Sequence, residues 1–349
     1  MPTRLTRADL RGQAQGVCGM LDPATLGPTL MHEHVLCDIT PPKMAVLNEP
    51  DYPITLQNVF SIMYGRRKHP TNYRLLDKAL AIEELKRMRE VGGKTVVDLT
   101  CGGLKPDPVG LAEISKAAGV PIVIGCGYYV DEYQAPENRD KSVERFAQEI
   151  MAQVLEGAWG TDVRAGIIGE IGCQAQWTEL EKRVMRGAVI AQAETGAALN
   201  VHPGRNPDQP QEVMELIRAE RGDPSRTVIS HLDRTIFDDE RLFTLADTGC
   251  VMEFDLFGQE TTYYWRNPDV HMPNDGMRLQ TLRKLADRGY LDRILISHDI
   301  CYKTRLVEYG GHGYGHIFEN VVPLMRRDFT EDEINTILID NPRRLLTFV

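Results

Sequence analysis

The chain has 349 residues, 42% of them hydrophobic and 26% charged, so it can bury a large core and is neither disordered nor fibrous. Forty Lys and Arg against 50 Asp and Glu leave a net charge of −10, which repels phosphate backbones and anionic lipid. A nucleic acid or a membrane surface is thereby disfavoured, and a small-molecule substrate is the expected partner.

Residues 1–16 carry basic side chains but no apolar core of a secretory signal, and no stretch nears the roughly 18 apolar residues of a membrane span. Seven scattered cysteines without a C-x-x-C pair read as reduced thiols. A cytoplasmic location is the expectation.

Residues 1–24, with Gly16, Gly19 and the pair Asp22-Pro23, read as a short N-terminal β-hairpin. Runs rich in Val, Ile and Leu then recur at 29–35, 95–99, 121–126, 166–171, 198–202, 227–231, 251–255 and 293–299, giving eight predicted strands. The stretch 37–73, rich in Pro, Tyr and Asn, is too long for a tight turn and is expected to form a functional loop. Helical periodicity covers 76–90, 108–118, 141–156, 178–195, 209–220, 237–247 and 277–288, with a final pair at 314–326 and 331–345. In the first helix Leu76, Leu80, Leu85 and Met88 form one apolar stripe.

Strand-then-helix alternation predicts an α/β fold with a parallel sheet under helices, and eight units predict closure into a (β/α)8 TIM barrel. No repeat, linker or composition break divides it, so residues 1–349 are expected to form one domain, with 1–24 as an extension. An open doubly wound sheet would more often show a glycine-rich phosphate turn after its first strand, and none is present.

The polar residues fall at the C-terminal strand ends, where barrel enzymes build their sites. His32 and His34 share one face of the first strand, with Glu33 on the other. Glu170, His202, His231 and Asp299 close strands four, five, six and eight. One strand-end histidine is usually a hydrogen-bonded structural residue, but four with two acids at one end of a barrel point to metal. They exceed what one tetrahedral Zn site needs, and two divalent ions about 3.5–4 Å apart would use all six. Zn is the first choice, with Mn, Co and Fe as alternatives.

Other residues compete or stand aside. Glu253, Asp255 and Asp98 rival Glu170 for the bridging place. His298 should face away from Asp299, while His69 and His271 lie in loops without evident partners. His312 and His316 occupy a glycine-rich turn that is equally a solvated loop tip or a substrate contact. Cys37, Cys101, Cys126, Cys173 and Cys301 gather near the strand ends and read as small buried thiols rather than nucleophiles.

The segments Leu30-Met31-His32-Glu33-His34-Val35, Gly166-Ile167-Ile168-Gly169-Glu170-Ile171-Gly172 and Val201-His202-Pro203-Gly204-Arg205-Asn206 resemble the phosphotriesterase family of the amidohydrolase superfamily. So do Ser230-His231-Leu232-Asp233-Arg234-Thr235 and Ser297-His298-Asp299. The run 303–316 is similar to the phosphotriesterase-related, resiniferatoxin-binding-type branch, and the likeness extends from about residue 16 to the C-terminus.

The resemblance implies that His32, His34 and Asp299 hold the more buried ion and that His202 and His231 hold the more exposed one. Glu170 takes the bridging place, and the chain forms a homodimer. The implied activity is that of a binuclear metal-dependent hydrolase: a metal-bridging hydroxide attacks a carboxylic amide, ester or lactone bond, and Asp299 accepts the proton. Amides rank first, since vertebrate members of the branch are associated with N-acyl amino sulfonates, and phosphotriesters rank last. The rivals are a binding protein that keeps the metals without turnover, and a single-metal barrel lyase or isomerase.

Two departures stand out. The phosphotriesterases proper bridge their metals with a carboxylated lysine, whereas this strand four has no lysine and places Gly169-Glu170 there, as the branch does. Moving the acid one residue along reverses its facing, so a bulge or local twist is expected. Lactonase-like relatives carry an Arg in an Asp-Arg-Tyr-Gly segment after strand seven. Here Asp255-Leu256-Phe257-Gly258 lacks it, which argues against strong lactonase or paraoxonase activity. Tyr128, Tyr129, Arg234, Lys303 and Arg305 remain as candidate substrate contacts, and the basic trio suits an acidic substrate.

Overall fold

The eight predicted strands all form, in a computed structural model that describes residues 4–45, 51–174 and 176–349. They are β1 Thr29–Glu33, β2 Thr95–Asp98, β3 Ile122–Ile124, β4 Ile168–Gly172, β5 Leu199–His202, β6 Thr227–Ile229, β7 Val251–Phe254 and β8 Ile294–Ile296. β1, β2 and β3 pair in parallel, as do β4 through β8 in chain order. Backbone hydrogen bonds join the two groups at both seams. Gly166 N–H donates to Ile124 O (3.0 Å) and Gly169 N–H to Cys126 O (2.7 Å) between β3 and β4. Asp299 N–H donates to His32 O (3.1 Å) and His34 N–H to Ile300 O (3.2 Å) between β8 and β1. With no free edge left, the sheet is a closed (β/α)8 barrel.

Alternate residues on each strand go to two different cores, as a pleated strand requires. Met31, Val97, Val123, Ala198, Val228, Val251 and Leu295 fill the barrel interior. Leu345 and Leu346 of the last helix, Asn341–Leu346, join the same cluster and seal its floor. Leu30, Val96, Ile122, Leu199, Ile229, Met252 and Ile294 pack outward in the larger cluster under the helices.

The helices between successive strands include α1 Lys78–Glu90, α2 Pro108–Ala118, α3 Val143–Leu155, α4 Glu179–Thr195, α5 Gln209–Ala219, α6 Asp239–Ala246 and α7 Asp275–Asp287. α1 begins two residues later than its periodicity suggested. Asp77 caps it by accepting from Leu80 N–H, which leaves Leu76 before the helix and 59% exposed rather than on the apolar stripe. No described helix is long and apolar enough to cross a membrane.

The predicted hairpin is present as Ala14–Gly16 paired antiparallel with Gly19–Leu21. The long segment after β1 is pinned at its base by Cys37–Asp38 pairing with Arg74–Leu75. Ile39, Met44, Ile62 and Gly65 from it line the cavity at the C-terminal mouth of the barrel, although part of the loop, 46–50, lies outside the described residues.

Candidate metal centre

The first pair of candidate ligands depends on an irregularity in β1. The β1–β2 register shifts between Leu30 and Glu33, so Met31 packs inside the barrel while His32 and His34 also reach its interior. Glu33 faces the other way. Its carboxylate accepts from Ser297 Oγ (2.8 Å) and from the N–H groups of His298 (2.9 Å) and Ile300 (3.0 Å), and it lies 2.8 Å from His298 Nδ1. His298 therefore faces away from Asp299, as alternation predicts.

Glu170 reaches the same interior through the expected irregularity. Ile168 pairs with Leu199 but Ile171 with Val201, so β4 carries one extra residue there, and the Gly169–Glu170 peptide is cis. His231 and Asp299 close their strands in left-handed backbone conformations, at φ 57° and 50°. Non-glycine residues adopt this region rarely, Asn, Asp and His most often, and such conformations concentrate at functional sites.

All six predicted ligands converge. Glu170 Oε2 lies 2.7 Å from His202 Nδ1, 3.4 Å from His231 Nε2 and 3.5 Å from His32 Nε2, while Oε1 lies 3.5 Å from His34 Nε2. Asp299 Oδ1 is 3.4 Å from His34 Nε2 and 3.9 Å from His32 Nε2. Most of these spacings are long for hydrogen bonds. A tetrahedral ion with bonds of about 2.1 Å sets its ligand atoms about 3.4 Å apart. Among the described residues, the buried His32 Nε2 has no hydrogen-bond partner at all. An orphaned imidazole nitrogen among carboxylates at ligand spacing fits a divalent cation. Glu170 stands between the His32, His34, Asp299 group and the His202, His231 pair, as a bridging carboxylate must.

The rival acids serve the imidazoles from behind. Asp255 Oδ1 is 2.8 Å from His231 Nδ1, and Oδ2 is 3.0 Å from His32 Nδ1. Ser230 Oγ and Glu253 Oε2 flank His32 Nδ1 at 3.2 and 3.3 Å, and Thr100 Oγ1 lies 2.9 Å from His34 Nδ1. These contacts turn three Nε2 atoms toward the centre, the arrangement that fixes tautomer and ring orientation in metal sites. Asp98 instead accepts the N–H groups of Val35 (2.7 Å) and Thr100 (2.9 Å) and holds the two loops together. His202 is turned the other way, with Nδ1 inward and Nε2 3.3 Å from both Tyr129 OH and Arg234 Nη2.

Burial and charge set the protonation of the cluster. Burial alone would lower His34, but its contacts with Asp299 and Glu170 outweigh it and push the imidazole up to about 10. Burial would likewise lower His32, and Asp255 and Glu170 hold it well above its usual value. His202 goes the other way: burial, aided by His231 and Arg234 and opposed by Glu170, pushes it down to about 3. Burial would raise Asp299, but its contact with His34 holds it lower. A divalent cation bound there would displace the protons that the carboxylates otherwise hold on His32 and His34.

Of the predicted substrate contacts, Tyr129, Arg234 and Arg305 line the cavity over this cluster. Tyr128 and Lys303 do not. Tyr128 points outward, since adjacent residues diverge: its ring packs on Phe146 of α3 and its hydroxyl bonds Glu149. Lys303 Nζ donates to Thr71 Oγ1 (3.1 Å) on the far side of the loop. Sequence reading missed Arg205 and Arg266, which also line the cavity. Arg266 stands ten positions beyond Leu256, on a loop whose course no periodicity reveals.

The remaining candidates have structural partners. His316 Nε2 lies 2.7 Å from Asp275 Oδ2, and His312 stacks on His298 with ring centres 5.4 Å apart while also lining the cavity. The turn is therefore not a solvated tip. The five cysteines near the strand ends are buried and free, and burial pushes the thiols of Cys101, Cys126 and Cys301 up, away from thiolate.

A family model described as the phosphotriesterase family matches residues 12–346. The chain is 42% identical over 347 residues to N-acetyltaurine hydrolase of Bos taurus, covering 98% of this chain and 99% of that one. It is 41% identical over 346 residues to a phosphotriesterase-related protein of Nematostella vectensis, covering 97% and 99%. A crystal structure of a resiniferatoxin-binding protein from Rhodobacter sphaeroides superposes with a TM-score of 0.91 at 35% identity, covering 99% of this chain and 98% of that one.

Proposed function

We propose that this chain, which belongs to the phosphotriesterase family and is a hydrolase, uses two divalent ions to cleave carboxylic amides whose amine half carries an acid group. The Bos taurus relative is named for N-acetyltaurine, an amide that ends in a sulfonate. One observation carries the acidic preference. Arg205, Arg234, Arg266 and Arg305 line the cavity above the ligand cluster, and among the described residues none of them forms an ion pair with a carboxylate. A chain of net charge −10 that gathers four unpaired guanidiniums at one cavity is built to receive an anion there.

His32, His34 and Asp299 would hold one ion, His202 and His231 the other, and Glu170 would touch both. Zn is the first candidate, followed by Mn, Co and Fe. Two such ions, when bound, lower the pKa of a shared water toward about 7 and draw charge from the substrate's carbonyl oxygen. The protein supplies the rest. Asp299 is the most exposed carboxylate of the cluster, 16% against 3% for Glu170. It takes the proton from the attacking water and passes it to the departing amine. Arg305 fixes it there by donating to the Asp299 and His298 carbonyls at 2.5 and 3.1 Å. Asp299 in that position argues against a binding protein without turnover.

The test is a screen of Zn- and Mn-loaded protein, with metal content measured, against N-acetyltaurine, N-acetyl amino acids, neutral amides, esters and lactones. Amine release from the acidic amides at two ions per chain is the expected result. Binding without product across the panel, or full activity with one ion, would reject the reading. Kinship makes a homodimer the expected state in solution.

A further inference from the structure

The four cavity arginines are of two kinds, and the difference lies in where their N–H groups go. Arg234 donates to Gly204 O (3.3 Å), Thr235 Oγ1 (3.2 Å), Pro203 O (3.0 Å) and His202 Nε2 (3.3 Å). Arg305 donates to His298 O (3.1 Å), Asp299 O (2.5 Å) and Gln259 Oε1 (2.6 Å). Their donors are committed to holding the ends of β5 and β8. A guanidinium offers five N–H groups in a planar fork, and these two have few to give a ligand.

Arg205 and Arg266 stand otherwise. Arg205, on the loop after β5, donates Nε–H to Tyr264 OH (3.0 Å). Arg266, on the loop after β7, donates from Nη2 to Tyr302 OH (3.2 Å) and lies over the Trp265 ring. Their partners are neutral phenols, which leave both positive charges uncompensated. The effect reaches the phenols themselves: burial would raise Tyr264, yet Arg205, Arg234 and Arg266 hold it below the usual phenol range. Planar guanidinium forks match carboxylate and sulfonate oxygens, and two of them facing one cavity from separate loops can grip such a group from both sides.

Resting on the reading of this chain as an amide hydrolase, we propose that Arg205 and Arg266, steadied by Tyr264 and Tyr302, form the docking site for the substrate's carboxylate or sulfonate. The pair selects acidic amides over neutral ones. It replaces Arg234, Arg305 and Lys303, the residues that sequence reading had favoured for this role.

The experiment compares metal-loaded wild type, Arg205→Met and Arg266→Met on N-acetyltaurine and on p-nitrophenyl acetate, which has the same acyl group and no acid. The ratio of kcat/KM for the amide to that for the ester should fall at least about 30-fold in each variant, mainly through KM. An unchanged ratio, whether both activities fall or neither does, overturns the docking site. Arg266→Lys, which keeps the charge and loses the fork, is read by the same ratio if the Met variant does not fold. Calorimetric binding of taurine to metal-free protein supplies a readout without turnover, and it should vanish in both variants. Wild type that cleaves neither substrate but binds taurine through Arg205 and Arg266 would leave the docking site standing and sink the amidase reading. Cleavage of N-acetyltaurine with unaltered taurine binding in the variants would do the reverse.

Discussion

Asp255 grips His231 twice, with Oδ1 2.8 Å from the imidazole Nδ1 and Oδ2 accepting the backbone N–H at 3.0 Å. The same Oδ2 lies 3.0 Å from His32 Nδ1, so one acid orients a histidine from each ligand group. It also restrains His231 in its left-handed conformation. Asp255→Asn should therefore weaken metal binding about 10- to 100-fold, read by titration against a competing chelator. Wild-type affinity in that variant would show that the contact does not set the site.

Asp299 also has a positive φ, of 50°, and Asn is among the few residues that tolerate it. Asp299→Asn should keep the fold, unchanged in circular dichroism and melting temperature, and lower kcat about 100-fold or more. Near-normal turnover with metal bound would remove Asp299 from the proton path.

Among the described residues, Glu170 is the one carboxylate that approaches all four candidate histidine ligands. Glu170→Ala should reduce metal content below two ions per chain after full loading, measured by plasma emission. Two ions retained at wild-type affinity would mean that nothing needs the bridge.

Asp275 gives a stability test far from turnover. It accepts from Gly258 N–H (3.0 Å) and Arg278 Nη1 (2.9 Å) and lies 2.7 Å from His316 Nε2. Burial would raise its pKa, but the contacts with His316 and Arg278 hold it down at about 2, against an ordinary 3.8. A carboxylate depressed in the folded state stabilises it above about pH 4, and that contribution fades as pH falls toward about 2. Asp275→Asn should cost about 2 kcal/mol at pH 7 in denaturant unfolding, with the gap narrowing under acid. A gap that does not change with pH would contradict the assignment.

Much of this was legible in the sequence, and the failures share a cause. Apolar strands and amphipathic helices gave the barrel because burial imposes periodicity, and polar residues at apolar strand ends, such as His202 and Asp299, marked the site. Glu170 was found by its place at the end of an apolar strand, although simple alternation would have turned it outward and only the extra residue in β4 brings it in. Loops follow no period. Tyr128 and Tyr129 were therefore paired as contacts though they face opposite ways, and Arg266 went unnoticed beyond a segment that lacked the expected arginine.

Because Leu345 and Leu346 stopper the barrel from below, the cavity that the described residues form opens at the C-terminal mouth. Hydrolysis makes two molecules where one entered, and both must leave past the rim the next substrate crosses. For an acidic amide, the half that carries the anion is held longest. The enzyme should therefore be slowed by its own product, and its pace at saturation set by departure rather than by bond breaking.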